Sequence, residues 1–162
     1  MEDLYSNIIA LLNEHNISYR EFDHDPILSY EDAEREKQRL GWNGVESKNV
    51  FLKGANGQYY LYVTTQGKRV DFSQLKELTG TKTSIASEDD VRNVIMCVPG
   101  CVAPFGFCKE ITIIIDPRIY EHTDYLFSPG VTTKTIQTNI QDVKSIFSCL
   151  PNKVITSTSR DI

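Results

Sequence analysis

The stretch VESKNVFLKGANGQYYLYVTT, residues 45–65, sets the fold class. Val45 to Lys53 reads as a strand centred on Val50, Phe51 and Leu52. Gln58 to Thr65 reads as its partner, dense in the aromatic and β-branched residues that suit a pleated surface. Gly54-Ala55-Asn56-Gly57 between them is a hairpin turn signal. This hairpin makes part of the sheet antiparallel. Strands and helices are mixed along the rest of the chain, with no internal repeat and no linker. The pattern is that of one α+β domain with a single mixed sheet.

Toward the N-terminus, Asp3 to Asn16 places Leu4, Ile8, Ile9, Leu11 and Leu12 on one helical face, with Asp3 as N-cap. Ser18 to Asp23 predicts a short strand, broken by His24-Asp25-Pro26. Ser29 with Asp32 three residues on resembles a capping box and opens a helix through Leu40, ended by Gly41 and Gly44.

Toward the C-terminus, Gly67-Lys68-Arg69 is a turn and Val70 to Phe72 a candidate short strand. Ser73 is the expected cap of a helix through Leu78, stopped by Gly80. Thr83 to Ala86 predicts a strand. Ser87 caps a helix from Glu88 to Met96, with Glu88, Asp89 and Asp90 at its positive end. Ile111 to Ile115 predicts a strand, and Asp116-Pro117 opens a short helix. Asp124 to Phe127 and Val131 to Thr138 predict strands around Ser128-Pro129-Gly130. Thr138 or Asn139 caps a last helix with Val143, Ile146, Phe147 and Leu150 as its buried stripe. The domain is expected over residues 1–150, and the Ser/Thr-rich residues 151–162 as a flexible tail.

The chain has 162 residues, 40% hydrophobic and 24% charged, which suits one soluble globular domain able to bury a core. A net charge of −5 argues against a simple basic nucleic-acid binder, but the charge is uneven. Residues 1–47 carry 4 basic and 11 acidic groups, whereas residues 48–82 carry six basic groups against Asp71 and Glu77. Such a basic patch can take a few phosphates, or it can be solvated surface lysine. No apolar run approaches the roughly 20 residues that span a bilayer, and MEDLYSN lacks the regions of a signal peptide. Cys97, Cys101, Cys108 and Cys149 form no C-x-x-C pair and have no histidine at zinc-finger spacing. They read as free thiols in a reducing cytoplasm, and neither metal nor cofactor is expected.

There is no G-x-S-x-G elbow, no P-loop and no H-E-x-x-H. His15, His24 and His122 all read as structural or solvated residues at helix ends and turns. Two stretches remain. Val98 to Gly106, VPGCVAPFG, packs two prolines and two glycines into a stiff turn. It reads either as a plain helix-to-strand connection or as a rigid loop whose N–H groups hold a carbonyl or oxyanion. Lys48, at the mouth of the apolar Val50-Phe51-Leu52 strand, is either an exposed strand-end lysine or a point charge for a phosphate.

Taken in order, Lys48-Asn49-Val50-Phe51-Leu52-Lys53, the YYLYV strand, Arg69-Val70-Asp71 and Val98-Pro99-Gly100-x-x-x-Pro104-Phe105-Gly106 resemble the YbaK and prolyl-tRNA-synthetase-associated editing superfamily. The match runs from about Leu11 to Phe147 and includes His24-x-Pro26 and Ser128-Pro129-Gly130…Thr135. Lys-Asn before an apolar pair is most similar to the freestanding prolyl-tRNA editing proteins that clear alanine. The resemblance implies a barrel-like mixed sheet with surrounding helices. It also implies a trans-editing aminoacyl-tRNA deacylase that removes a small amino acid, alanine first, from tRNA for proline. Lys48 would hold the acceptor end, and the backbone at Gly100 and Cys101 would polarise the ester carbonyl and position water. Asn49, Phe51, Pro104, Ser128 and Gly130 would shape the substrate site. The alternatives are a deacylase for serine, threonine or cysteine esters, or a non-catalytic module bound to aminoacyl-tRNA or a synthetase. Partners would be the acceptor end of charged tRNA and a synthetase, with no membrane and no DNA. Ser128 stands where the alanine-specific proteins carry histidine, which opens the choice of amino acid.

Overall fold

The computed structural model describes residues 3–158. The chain opens with helix α1 (Leu4–Glu14) and strand β1 (Tyr19–Asp23), followed by α2 (Tyr30–Leu40), β2 (Val45–Gly54) and β3 (Tyr59–Thr65). Next come α3 (Phe72–Thr79), β4 (Thr83–Ile85), α4 (Glu88–Val94) and β5 (Thr112–Ile115). A 3-10 helix (Pro117–Glu121), β6 (Asp124–Phe127), β7 (Lys134–Asn139), α5 (Ile140–Cys149) and β8 (Val154–Thr156) complete it.

Local chemistry sets most boundaries. The side chains of Asp3, Ser29, Ser87 and Asn139 accept hydrogen bonds from the first turns of α1, α2, α4 and α5. Gly41 and Gly80 end α2 and α3 in left-handed conformation. One cap lies elsewhere than expected. Asp71, not Ser73, accepts from the Gln74 N–H, so α3 begins at Phe72 and no strand forms over Val70 to Phe72.

The eight strands form one mixed sheet in the order β1-β7-β6-β2-β3-β5-β8, with β4 also on β2. Among the described residues both ends of that path are open, so the sheet is not a closed barrel. The expected flexible tail is corrected over its first part. Val154–Thr156 pairs parallel with β5, and the Asn152 amide donates to the Cys108 and Ile111 carbonyls. The apolar residues of β5 need covering, and Val154-Ile155 supplies the next strand. Residues 159–162 of the expected tail lie outside the described residues. The core joins Ile8 and Leu12 of α1, Phe51, Leu61 and Val63 of the hairpin, Ile113 and Ile115 of β5 and the inner face of α5. Each such side chain contributes on the order of 1.5–3 kcal/mol of burial.

Candidate active site

Strand β2 has two edges. β3 occupies one along Ser47–Lys53. The other is shared: β6 runs parallel to Val45 and Glu46, while β4 runs antiparallel to Leu52–Gly54. The edge between those two partners has no strand on it. A cavity of about 450 Å³ opens there, lined by Glu46 to Phe51 along that free edge. Such a volume is ordinary for a small-molecule site.

The Gly100 loop forms one wall. After α4, Met96 adopts a positive φ of 56° and turns the chain back. The Cys101 N–H then donates to the Val98 carbonyl at 2.8 Å, closing a turn. Pro99 and Gly100 are its central residues, and Gly100 has φ 88°. Proline followed by a positive-φ glycine is the signature of a type II turn. The Gly100 N–H has no hydrogen bond among the described residues, and Gly100 lines the cavity. The Cys101 N–H closes the turn, so of the two residues only Gly100 has an N–H without a hydrogen bond among the described residues. The Cys101 thiol is buried at the cavity wall, and burial pushes its pKa up. Cys97 beneath it is pushed up to about 12, again by burial. Neither thiol is activated as a nucleophile.

Ser128 and its neighbours hold this loop in place. The Ser128 hydroxyl lies 3.3 Å from the Cys101 carbonyl and 3.1 Å from the Val131 carbonyl, and accepts from the Gly130 N–H at 3.2 Å. The Gly130 carbonyl accepts from Val98 N–H at 3.0 Å. Ser128 lines the cavity. Gly130 does not. It is buried, and a Cβ there would stand 2.8 Å from Leu4 Cδ2, so it permits close packing against α1. Pro104 is also buried and outside the cavity lining. These two residues shape the loops and not the cavity wall.

Lys48 and Asn49 point to opposite faces of β2, as strand geometry requires. The half-buried Lys48 ammonium donates to the Lys68 carbonyl at 3.0 Å, which fixes it beside the turn after β3. The Asn49 amide donates to the Val102 carbonyl at 2.9 Å and the Ser47 hydroxyl at 3.2 Å, stapling β2 to the Gly100 loop. Its oxygen is buried without a hydrogen-bond partner among the described residues. An unsatisfied buried acceptor costs about 1–3 kcal/mol, so this oxygen is suited to a donor from a ligand. Phe51 stacks on Tyr59 with ring centroids 5.1 Å apart and closes the floor. The structure therefore brings Lys48, Asn49, Phe51, Gly100, Cys101 and Ser128 around one cavity.

The fold adds residues that the local sequence did not single out. His24, Trp42, Thr135 and Lys134 also line the cavity. β1 pairs with β7 so that Phe22 faces Thr135 and Asp23 faces Lys134. That register brings His24 to Thr135, with Nε2 2.8 Å from Oγ1. In the sequence, His24-x-Pro26 and Ser128-Pro129-Gly130…Thr135 marked these two positions through the family resemblance, without joining them.

The aminoacyl-tRNA editing domain model matches residues 24–146, and the chain belongs to that family. The prolyl-tRNA editing protein ProX of Acetoanaerobium sticklandii is 29% identical over 152 residues, covering 89% of this chain and 90% of that protein. The multifunctional Ser/Thr-tRNA deacylase ProXp-y of Escherichia coli K12 is 26% identical over 136 residues, 82% of this chain and 81% of its own. The fold is shared with a crystal structure of a candidate trans-editing enzyme for prolyl tRNA synthetase, at TM-score 0.75 and 15% identity, covering 99% of both chains. The hypothetical protein APE2540 gives TM-score 0.77 at 15% identity, covering 94% of this chain and 99% of its own.

Proposed function

We propose that this protein is a trans-editing aminoacyl-tRNA deacylase, which hydrolyses the ester joining a wrong small amino acid to the terminal ribose of tRNA for proline. The observation that carries this reading is the free stretch of β2 edge, where Lys48, Asn49 and Gly100, whose N–H has no hydrogen bond among the described residues, line one cavity. An aminoacyl ester is already activated, so positioning and an oxyanion donor suffice without a protein nucleophile.

In the proposed reaction Lys48 holds the acceptor end through a phosphate, as a point charge fixed by the Lys68 carbonyl. The Gly100 N–H takes the carbonyl oxygen as it becomes an oxyanion. Water adds to the carbonyl carbon, and its proton passes to the departing ribose oxygen as the C–O bond breaks. Free amino acid and tRNA with a 3′-terminal hydroxyl result. The Asn49 oxygen accepts from the attacking water or from the substrate ammonium, which relieves its buried, unpartnered state. Charged tRNA as substrate supports a cytoplasmic site of action, with a prolyl-tRNA synthetase as the partner in trans.

The test is incubation with tRNA for proline charged in turn with alanine, serine, threonine, cysteine and proline, following loss of the amino acid. Hydrolysis of one or more small acyl groups with proline spared is expected. Binding of all five without hydrolysis would leave a non-catalytic module and overturn the proposal.

A further inference from the structure

We propose that Thr135, oriented by His24, reads a hydroxyl on the substrate's amino-acid side chain, so that seryl and threonyl esters are preferred over alanyl esters. The inference rests on the deacylase reading and concerns the acyl group within the same cavity.

The argument is one of proton counting. His24 Nδ1 lies 2.8 Å from the Asp25 carbonyl. A carbonyl only accepts, so Nδ1 carries the hydrogen. In the neutral ring Nε2 is then a lone pair, and it faces Thr135 Oγ1 at 2.8 Å. The Thr135 hydroxyl must donate its single proton to the ring. What remains on Oγ1 is lone pairs, so Thr135 offers the cavity an acceptor and no donor. A ligand group meeting it must bring a hydrogen. The hydroxyl of a seryl or threonyl side chain does so, a cysteinyl thiol does so weakly, and an alanyl methyl does not at all.

The relay is rigid. The His24 ring is 9% exposed and meets the Trp42 ring edge-on at 5.5 Å between centroids. The His24 N–H donates to the Thr133 carbonyl at 3.0 Å, so the histidine is anchored on the chain segment that carries Thr135. Ile27 and Val131 line the cavity with Thr135 and offer apolar contact for a threonyl methyl. Thr135 is half-buried, and an acceptor that the bound ester shuts off from water and leaves without a hydrogen disfavours the alanyl ester; polar sites of this kind discriminate more strongly than apolar ones.

The experiment compares seryl, threonyl and alanyl esters on one tRNA with the wild type and with Thr135→Val, Thr135→Ser and His24→Phe. The wild type is expected to favour seryl and threonyl over alanyl by about tenfold or more. Thr135→Val should lower kcat/KM for the two hydroxylated esters by about 10- to 100-fold and leave alanyl within about threefold. Thr135→Ser should keep the wild-type ratio, and His24→Phe should reduce it. A wild type that favours alanyl overturns the inference, even if the valine variant fails to fold. An equal loss on all three esters also overturns it, since Thr135 would then hold the common ammonium group. No hydrolysis of any ester by the wild type would instead mark failure of the deacylase reading itself.

Discussion

Gly100→Ala separates the loop's conformation from its packing. A Cβ at Gly100 would meet nothing within 4 Å, so the substitution carries no steric clash. The whole effect lies in φ, which is 88°. Holding alanine there costs about 1–2 kcal/mol. The turn can shed that strain by rotating the Pro99–Gly100 peptide into a type I geometry, which keeps the Cys101 N–H to Val98 carbonyl bond. Rotation reverses the direction of the residue-100 N–H, so the proposed oxyanion donor is lost. Stability then changes by at most about 1 kcal/mol, a shift of roughly 2–4 °C in Tm for a chain of this size. The loss of an oxyanion donor costs about 10²- to 10³-fold in kcat. Gly100→Asn, which tolerates a left-handed conformation, should recover much of the activity. The assay is single-turnover deacylation of a mischarged tRNA alongside thermal unfolding. If Gly100→Ala turns over within about threefold of wild type, a difference of only ~0.65 kcal/mol, the Gly100 N–H does not stabilise the oxyanion.

Lys48→Ala should lower kcat/KM on charged tRNA by at least tenfold with less than about 1 kcal/mol lost in folding, because the half-buried side chain makes one bond to a carbonyl; chemical denaturation and deacylation on the same preparation decide it. Ser128→His should shift selectivity toward alanine by roughly 1–3 kcal/mol in relative kcat/KM, and identical profiles for both variants would remove Ser128 from the amino-acid pocket. Reversing the exposed Lys68 and Arg69 together should weaken action on full tRNA and flatten its salt dependence by roughly one to two phosphate contacts, while hydrolysis of a minimal aminoacyl ester is unchanged. Asp116 is buried. Burial alone would raise its carboxyl, but the bonds from Arg118 and Thr64 outweigh that and hold it below the usual carboxylate range. Its stabilisation is therefore complete above the unfolded value near 3.8 and is lost as pH falls through the lower folded value. Asp116→Asn should cost about 3–5 kcal/mol at neutral pH by removing the buried charge that Arg118 and Thr64 bond, and should flatten acid unfolding in that range.

The sequence by itself determined the parts whose cause is local. Caps at Asp3, Ser29 and Ser87, the Gly54–Gly57 hairpin and the stiff Val98–Gly106 loop each depend on residues within a few positions of one another. The α3 start was misplaced because Asp71 and Ser73 are both competent caps, and only the built helix shows which one accepts from Gln74. Tertiary structure alone decided the rest. Val154–Thr156 is a strand because β5 offers it an edge, a partner some forty residues away. Pro104 and Gly130 belong to legible turns, but whether they face the cavity or α1 depends on packing. The cavity exists because β4 and β6 divide one edge of β2 between them. His24 and Thr135 stand 111 residues apart in the chain, and their hydrogen bond follows from the β1–β7 register, which no local pattern encodes.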